Sequence, residues 1–339
     1  SGEDGNPIVY AAEKGAEVIF NGGVALDSSL FSAVTDEEVL SCFKNDDVRK
    51  SVLVIDLSDD KYSDLFADNS DFHIQELSVN GKTAIQARWP DNDEAPAEIL
   101  SDDGQYTYLA ITDEQAEAWS RCNNISWHGY GNYDWLDFIA WSSSVDTSIH
   151  ALKVPDNVII YLPVKDGMPF YVFNLLCELD RPGEYYFDAS ARKLYYFPSS
   201  SVGDSTFYLS ANSTGAFAFD NASDIEIDGI IFENYCSEVI SGKVSDFTLN
   251  DSVIHSCSGQ FAVKINGTNN TINGCRFYDL SRAVLSVTGS DTVSMAASNN
   301  IITNNEMFDT ARVRRTTSDS VQVFGSGFYI AHNKIYDTP

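Results

Sequence analysis

The stretch Ile225-Glu-Ile-Asp-Gly-Ile-Ile-Phe232 decides the fold, because the chain repeats its pattern four more times before residue 339. Each copy is a short alternating strand, a polar turn rich in Asn and Gly, and a second short strand. The later copies are Phe247-Thr-Leu-Asn-Asp-Ser-Val-Ile254, Asn270-Thr-Ile-Asn-Gly-Cys-Arg-Phe277, Asn300-Ile-Ile-Thr-Asn-Asn-Glu-Met307 and Phe328-Tyr-Ile-Ala-His-Asn-Lys-Ile335. One copy cannot bury its apolar face alone, whereas stacked copies share a continuous core.

Two apolar columns give the register of this stack. The last residue of each copy recurs at spacings of 22, 23, 30 and 28 residues, and these residues are Phe232, Ile254, Phe277, Met307 and Ile335. The second column lies five residues earlier and consists of Ile227, Leu249, Ile272, Ile302 and Ile330. The period is too long for a hexapeptide left-handed helix, and it lacks the amphipathic helical segment that would indicate leucine-rich repeats. We therefore predict an all-β fold, a right-handed parallel β-helix, which is a solenoid of stacked turns.

The repeat predicts three regions along the chain. Residues 1–26 have the same character as the repeat, with Pro7-Ile-Val-Tyr10 and Val18-Ile-Phe20 as short strands, so we expect the first β-helix turn there. Residues 27–206 differ: they contain alternating strands and two capping boxes, at Thr35 and Thr112, that open short helices. We expect this region to be a β-rich inserted subdomain. Residues 207–339 then hold the remaining β-helix turns.

The charge balance excludes several classes of partner. Asp and Glu number 50 against 21 Lys and Arg, so the net charge is −29. Nucleic acids and anionic membrane surfaces are poor partners, because binding them requires Lys and Arg to neutralise phosphates. No run of 18 apolar residues is present, so we expect no membrane span. Glycans, cations and basic proteins remain as partner classes.

Four stretches carry a resemblance to a known family. They are Ser1 to Gly23, Val79-Asn-Gly-Lys82 with Ala87-Arg-Trp-Pro90, Asn174 to Asp188 with Leu194-Tyr-Tyr-Phe-Pro198, and Phe328 to Asp337. In these stretches the chain resembles the secreted right-handed parallel β-helix proteins grouped with glycoside hydrolase family 141. The resemblance runs over nearly the whole chain, and its most specific part lies between Asn174 and Pro198.

This resemblance implies a secreted enzyme that degrades plant cell-wall polysaccharides, with fucosidase and xylanase activities among the relatives. It also implies that the β-helix continues beyond the given chain, and that the acidic residues associated with catalysis lie mostly in those later turns. We therefore carry no catalytic residue over from the family, and we expect the catalytic turns of the relatives to lie outside this chain.

Three aspartates of the repeat are candidates for catalysis on their own chemistry. Asp279, Asp309 and Asp337 each lie two residues after the last apolar residue of a copy, so neighbouring turns would stack them. Cleavage of a glycosidic bond uses two carboxyl groups about 5 to 9.5 Å apart, and adjacent like charges raise at least one pKa, as a general acid requires. The alternative is that each Asp accepts backbone N–H groups at its own turn and is inert.

Basic and aromatic residues are candidates for substrate binding. Arg312, Arg314 and Arg315 form the densest basic cluster, which could bind a uronate or orient a catalytic carboxylate, or else pair with surface acids. His332 lies in a repeat turn and could contact substrate, or else be solvated. The aromatic residues between positions 119 and 141 could stack on sugar rings or form a core of their own, and these are Trp119, Trp127, Tyr130, Tyr133, Trp135 and Trp141.

Glycosylation motifs and cysteines bear on location. Six Asn-x-Ser/Thr motifs favour a glycosylated, secreted protein, and they lie at Asn124, Asn212, Asn221, Asn250, Asn266 and Asn269. Cys236, Cys257 and Cys275 are spaced 21 and 18 residues apart, close to one turn, so they form either a disulfide between turns or a stacked core column. No cofactor motif is present, so we expect no cofactor, although the acidic surface would permit a loop calcium site.

Two functions remain open at this point. The first is an extracellular glycoside hydrolase that acts on a complex polysaccharide by a paired-carboxylate mechanism. The second is a non-catalytic structural module of an extracellular filament, coat or cell-surface assembly, whose partners are neighbouring subunits. The sequence does not decide whether the protein is an enzyme, because a fold does not determine an activity.

Overall fold

The structure is a computed structural model that describes residues 1–3, 6–66, 75–156, 163–211, 214–290, 293 and 295–339. It is mostly β, with 45% strand and 11% helix, and it contains parallel sheets. The chain divides into two compact units. The repeat unit comprises Ser1–Ala25, Ala67–Thr83 and Tyr208–Pro339, and the second unit comprises Leu26–Phe66 and Ala84–Phe207.

In the repeat unit, successive passes of the chain add parallel strands to three stacks. The first stack pairs the N-terminal halves of β21 (Phe217–Asp228) and β23 (Ile240–Asn250) with β25 (Phe261–Asn266), β28 (Ala283–Thr288) and β31 (Val321–Phe324). The second stack pairs the C-terminal halves of β21 and β23 with β1 (Ile8–Ala11), β26 (Thr271–Asn273), β29 (Ile301–Thr303) and β32 (Tyr329–Ala331). The third stack contains β2 (Ile19–Asn21), β22 (Ile231–Glu233), β24 (Val253–Cys257), β27 (Arg276–Leu280), β30 (Glu306–Phe308) and β33 (Lys334–Tyr336).

A smaller sheet completes the repeat unit. Its strand order is β3-β20-β6-β7. These strands are β3 (Gly23–Leu26), β20 (Phe207–Ser210), β6 (Leu77–Val79) and β7 (Lys82–Thr83). Two of the four strands come from the segment Ala67–Thr83, so a piece of chain remote from the repeat in sequence belongs to the same unit.

The predicted register of the two apolar columns is confirmed. Ile227, Leu249, Ile272, Ile302 and Ile330 pair in succession across the second stack. Phe232, Ile254, Phe277, Met307 and Ile335 do the same across the third stack. The columns form the core of the unit, because the first four members of each are at most 1% exposed. Burial of each such side chain contributes about 1.5 to 3 kcal/mol to folding.

Asparagine side chains link consecutive turns of the repeat. Asn305 and Asn333 occupy one turn position, and the Asn333 Oδ1 accepts both the backbone N–H and the side-chain amide of Asn305 at 3.0 Å. The Asn305 Oδ1 in turn accepts the backbone N–H of Cys275 at 2.9 Å. Each amide thereby satisfies a buried donor that the turn would leave unpaired, so the ladder stabilises the stack.

The second unit consists of three further sheets. The first has the order β10-β17-β13-β14 with β9 also paired to β17, and its strands are β9 (Arg88–Trp89), β10 (Ala95–Pro96), β13 (Ser126–Tyr130), β14 (Asp137–Ala140) and β17 (Pro169–Phe173). The second is β11-β12-β16-β15, with β11 (Ile99–Asp102), β12 (Tyr106–Ala110), β15 (Ser144–Asp146) and β16 (Ala151–Pro155). The third is β4-β5-β19-β18-β8, with β4 (Ser32–Ala33), β5 (Leu53–Asp56), β8 (Ile85–Gln86), β18 (Glu184–Asp188) and β19 (Lys193–Tyr196).

The described part of the second unit contains three short α-helices. They are α1 (Glu37–Cys42), α2 (Asp46–Ser51) and α3 (Asp113–Trp119). Thr112 caps α3 through the capping box that the sequence predicts. Thr35 does not cap α1, since the Asp36 carboxylate accepts the N–H groups of Glu38 and Val39 instead. Asp is at least as strong a cap as Thr, so the helix begins one residue later than predicted. Among the described residues, no helix is both long enough and apolar enough to cross a bilayer.

Candidate active site

A column of left-handed residues follows the strands of the third stack. Asn234, Ser256, Asp279, Asp309 and Asp337 all have φ between 49° and 62°. Asn and Asp tolerate this conformation better than other residues with a Cβ, which explains why the repeat selects them there. The strand residues that precede them are paired turn by turn, so the three predicted aspartates occupy one column.

Asp279 is the buried member of this column, with 8% of its surface exposed. Its Oδ2 accepts the backbone N–H of Thr83 at 3.1 Å, the Thr83 hydroxyl at 2.8 Å and the Ser256 hydroxyl at 2.9 Å. Its Oδ1 lies 2.7 Å from the Nε of Arg312. Both oxygens therefore contact donors or a cation.

Arg312 lies between two carboxylates. Its Nη1 and Nη2 donate to the two carboxylate oxygens of Glu76 at 3.2 and 3.0 Å, which is the bidentate geometry that a guanidinium allows. The Ser281 hydroxyl also donates to Glu76, at 2.6 Å. Burial alone would lower the pKa of Arg312, but the charges of Glu76 and Asp279 outweigh burial and raise it. The guanidinium is therefore a fixed positive charge at the centre of this carboxylate cluster.

Asp309 and Asp337 lie one and two turns further along the column. Both are exposed, in contrast to Asp279. Partial burial and the nearby charge of Asp279 raise the pKa of Asp309, while Arg312 and Lys82 act in the opposite direction. Adjacent parallel strands lie about 4.8 Å apart, so the Asp279 and Asp309 positions have the separation expected of neighbouring turns.

A histidine adjoins the cluster on the side of Ser256. The His255 Nδ1 lies 3.0 Å from the Ser256 Oγ, and its Nε2 lies 3.4 Å from a carboxylate oxygen of Glu233. Burial lowers the pKa of His255, although Asp279 acts in the opposite direction. Its ring stacks on Tyr278 at 4.9 Å, and the stack continues through Phe308 and Tyr336 at 5.1 Å each. A row of rings thus runs beside the aspartate column.

The remaining basic candidates fall at different places. Arg314 lines a cavity together with Arg282, whereas Arg315 is exposed. His332 is exposed in the turn before β33, and Asp337 is in the turn after it, so the two residues belong to different columns. Of the three clustered arginines, Arg312 is the one that pairs with Asp279 of the aspartate column.

Three residues of the cluster were not predicted from the sequence. Glu76 and Thr83 come from the segment Ala67–Thr83, about 200 residues before Asp279 in the chain. Ser281 follows Asp279 closely, but a serine in a turn carries no signal of its own. The sequence predicts the aspartate column because it repeats, whereas the groups that bind Asp279 and Arg312 do not repeat.

The predicted aromatic cluster divides into buried and exposed residues. Trp119, Trp127 and Tyr130 are buried in the second unit and contribute to its core. Tyr133 and Trp135 are 47% and 58% exposed, and their rings stack with centroids 5.6 Å apart. The two predicted roles therefore fall to different residues. Trp119, Trp127 and Tyr130 belong to the core, and Tyr133 and Trp135 expose ring surface to solvent.

A group of three carboxylates in the second unit has the composition of a calcium site. One oxygen each from Asp91, Asp180 and Glu184 lie within 4.8 Å of one another, the one such group among the described residues. Arg181 already pairs with Asp91, and Lys44 Nζ lies 2.5 Å from Asp180. These two cations already occupy the carboxylates of Asp91 and Asp180, so the group carries no metal assignment.

The cysteines and glycosylation motifs have the following environments. All six cysteines are free, and Cys236, Cys257 and Cys275 are buried. They do not share a column, because Cys257 pairs with Leu280 whereas Cys275 lies at the position of Asn305, so no disulfide joins them. Four motif asparagines are exposed and Asn250 is half-buried, while Asn212 lies outside the described residues. The exposed four are Asn124, Asn221, Asn266 and Asn269.

Comparison with known proteins bears on the fold. A solved structure named "Glycoside hydrolase" has the same fold. It superposes with a TM-score of 0.69 over 98% of this chain, at 14% sequence identity. The chain spans 66% of the length of that structure. No family model and no curated protein sequence matches the chain. At this identity the likeness concerns the fold alone, and the chemistry must be argued from the residues.

Proposed function

We propose that the protein is a carbohydrate-active enzyme that cleaves glycosidic bonds, with Asp279 and Asp309 of the aspartate column as its catalytic pair. The proposal includes a right-handed parallel β-helix as the architecture of the repeat unit, and a place beside glycoside hydrolase family 141. The likeness to a structure named as a glycoside hydrolase supports it. The observation that carries it is the pairing of Asp279 and Asp309 in adjacent turns, in different electrostatic environments.

The two aspartates fit the two roles of a glycosidase pair. Arg312, Thr83 and Ser256 hold both carboxylate oxygens of Asp279 in place, which suits a nucleophile or a stabiliser of positive charge. The raised pKa of Asp309 suits a general acid that protonates the leaving oxygen. The backbones of neighbouring turns lie about 4.8 Å apart, which allows two side chains of one column to reach the carboxyl separation of about 5 to 5.5 Å found in retaining enzymes. We therefore propose a retaining mechanism with Asp309 as the acid.

The remaining members of the cluster act on Asp279 rather than on substrate. Glu76 and Ser281 fix the guanidinium of Arg312, and Arg312 holds the carboxylate of Asp279. Glu76 is therefore a positioning residue in this scheme. We further propose that the protein is secreted and acts on a complex extracellular polysaccharide, which the six glycosylation motifs favour.

The test is hydrolysis of xylan and of fucosylated oligosaccharides, with Asp309→Asn compared against Asp337→Asn. Both residues occupy the same column and are exposed, so the second variant is a matched control. Loss of a general acid lowers the rate by about 10² to 10⁴-fold, and we expect Asp337→Asn to stay close to the wild-type rate. NMR of the first product should show retention at the anomeric carbon.

Two results would contradict this proposal. Equal rates for Asp309→Asn and the wild-type protein would remove Asp309 from the mechanism. A wild-type protein that releases no sugar from neutral, fucosylated or uronate-bearing glycans would exclude the catalytic function and leave the structural alternative.

A further inference from the structure

A small polar cavity lies within the repeat unit, close to the carboxylate cluster. It measures about 150 Å³ and is lined by Gln260, Arg282, Arg314, Thr317 and Ser318. These residues follow the third stack in three successive passes of the chain, between β24 and β25, between β27 and β28, and between β30 and β31. Ser256 and Asp279 each lie next to the last residue of β24 and β27, and Asp309 directly follows β30. The cavity and the aspartate column therefore share one corner of the repeat.

Backbone hydrogen bonds tie the cavity wall to the cluster. The N–H of Arg314 donates to the carbonyl of Ser281 at 3.0 Å, and the N–H of Ala311 donates to the carbonyl of Arg282 at 3.1 Å. The side chain of the same Ser281 donates to Glu76 in the carboxylate cluster. A ligand group in the cavity would thus lie one short segment away from Asp279.

The chemistry of the lining favours an anion. All five side chains carry N–H or O–H donors, two of them are guanidinium groups, and none of the five is acidic. Arg282 is 7% exposed, so its charge acts where water screens it least. In a chain with a net charge of −29, a cavity wall with this charge is unusual. Guanidinium groups bind carboxylates and sulfates through paired hydrogen bonds.

The size of the cavity limits what it can hold. Pockets for whole drug-sized ligands measure about 300 to 1,000 Å³, and one water occupies about 30 Å³ in the liquid. A volume of about 150 Å³ therefore suits one charged group with the adjoining part of a ring. We propose that this cavity binds the carboxylate or sulfate of an anionic sugar unit, so that the glycan cleaved at the aspartate column is an acidic one. This inference rests on the proposed function and names its substrate class.

Isothermal titration calorimetry with D-glucuronate, glucose 6-sulfate and glucose tests the proposal. We expect one or both anionic sugars to bind, glucose to bind more weakly, and the affinity to fall as salt rises. Arg314→Gln should weaken binding by about 10 to 100-fold, because a charge-assisted contact is lost. Arg276→Gln is the matched control, since Arg276 is an exposed arginine of β27 that pairs with Glu306 and is not part of the lining.

The outcomes separate the cavity from the catalytic proposal. Binding of glucuronate alone identifies a carboxylate, and binding of glucose 6-sulfate alone identifies a sulfate. Equal affinity for glucose, or unchanged affinity in Arg314→Gln with an unaltered circular dichroism spectrum, overturns the cavity proposal. If neutral xylan is cleaved in an Asp309-dependent way without binding of either anion, the proposed function stands and the cavity proposal fails. If an anion binds at Arg314 and no glycan is cleaved, the cavity binds the anion and the proposed function fails.

A second inference comes from two cysteines of the second unit. The sulfurs of Cys122 and Cys177 lie 3.7 Å apart, and both residues are buried in its hydrophobic core. Cys122 follows α3, and its N–H donates to the carbonyl of Trp119 at 2.9 Å. Cys177 lies in the short 3-10 turn Leu176–Glu178, and the Trp119 indole donates to Glu178 at 3.0 Å. The two backbone segments are thus held together independently of the sulfurs.

We infer that Cys122 and Cys177 form a disulfide when the protein folds in an oxidising compartment. A disulfide bond is about 2.05 Å long, so the sulfurs need to approach by less than 2 Å. The two thiols lose two protons and two electrons to a disulfide oxidant, such as oxidised glutathione, which is reduced to two thiols as the new S–S bond forms. The bond would join residues 55 positions apart and so restrict the unfolded chain.

Peptide mapping of the oxidised full chain by mass spectrometry, without reduction, tests this inference. We expect a cross-linked peptide pair containing Cys122 and Cys177, and alkylated thiols at Cys42, Cys236, Cys257 and Cys275. Reduction should lower the Tm by about 10 °C, and Cys122→Ser should show the same lowering without reduction. Cys42→Ser is the control and should keep both the cross-link and the sensitivity to reduction. Alkylation of both Cys122 and Cys177 in the oxidised, unfolded protein would overturn the inference.

Discussion

Two buried carboxylate sites, Glu76 with Asp279 in the repeat unit and Glu184 in the second unit, have different surroundings. In the repeat unit, Glu76 and Asp279 share one buried cation, Arg312. In the second unit, Glu184 is also buried, with 3% of its surface exposed, but its carboxylate accepts only the backbone N–H groups of Asp180 and Arg181, at 3.1 Å each. The guanidinium of Arg181 contacts Asp91 and Asn92 instead.

This difference has an electrostatic consequence. Burial raises the pKa of Glu184 to about 7, and the charges of Asp180 and Asp91 add to the effect, while its two backbone hydrogen bonds oppose it. In the repeat unit the guanidinium supplies the compensating charge inside the cluster. Glu184, which has no cation at its carboxylate, therefore tends towards the neutral form.

The substitution with the largest expected effect on stability is the removal of Arg312. Arg312→Met leaves Glu76 and Asp279 as buried carboxylates without a cation, and we expect the free energy of unfolding to fall by about 3 to 5 kcal/mol. Urea unfolding combined with hydrogen exchange of β27 measures the loss in the repeat unit. Glycosidase activity should also disappear, since Asp279 loses its ion pair.

The matched substitution in the second unit should have little effect. Arg181 is 43% exposed and its partner Asp91 is 29% exposed, so Arg181→Met should change the free energy of unfolding by about 0 to 1 kcal/mol. If Arg181→Met lowers the free energy of unfolding as much as Arg312→Met does, the burial of the cation does not explain the difference between the two sites.

The pH dependence of Glu184 is the next largest effect. Its pKa is raised in the folded state, so the protonated form contributes stability that is fully present below the unfolded pKa, near 4.3, and is lost as the pH rises towards 7. The expected loss is about 3 kcal/mol, an upper value because solvent reaching the carboxylate would reduce it. Urea unfolding at pH 4.5, 6 and 7.5 measures it.

Glu184→Gln is the control for this effect. The amide does not titrate, so Glu184→Gln should lack this decline in stability between pH 4.5 and 7. Glu178→Gln should retain the decline, because that variant keeps Glu184 and replaces a carboxylate that lies 2.6 Å from Lys44. A decline of equal size in Glu184→Gln would assign the pH dependence to other groups.

The sequence predicts the parts of the repeat unit that repeat. The two apolar columns and the Asn305 ladder follow from spacing alone, since parallel turns must place equivalent residues side by side. The aspartate column also follows, because a left-handed turn position selects Asn and Asp.

The environment of the site could not be predicted in the same way. Whether Asp279 is buried depends on Thr83 and Glu76, which reach it from a segment with no repeat and no motif. His255 illustrates the same limit. As a turn residue of the repeat it would be expected to be solvated, yet it is 7% exposed and stacked on Tyr278. Long-range contacts of single residues leave no pattern in one sequence, so only the structure provides them.

The smallest expected effect on stability concerns His255. This residue is a buried base, whereas the groups compared so far are acids. Burial lowers the pKa of His255 in the folded state, so its neutral form contributes stability above the unfolded pKa of about 6.5 that is lost as the pH falls through the folded value. The groups that face it are Glu233, Ser256, Asp279 and Tyr278. This pH dependence has the opposite direction to that of Glu184, although burial is the leading cause of both.

Urea unfolding of the wild-type protein and of His255→Gln between pH 7.5 and 5 checks this prediction, with hydrogen exchange of β24 reporting the repeat unit. The wild-type protein should lose stability relative to the variant as the pH falls. His332→Gln, a substitution of an exposed repeat histidine, should follow the wild-type curve. If His255→Gln follows it as well, the ion pair with Glu233 compensates the cost of burial, and His255 belongs with Arg312 as a cation that the repeat unit holds among its carboxylates.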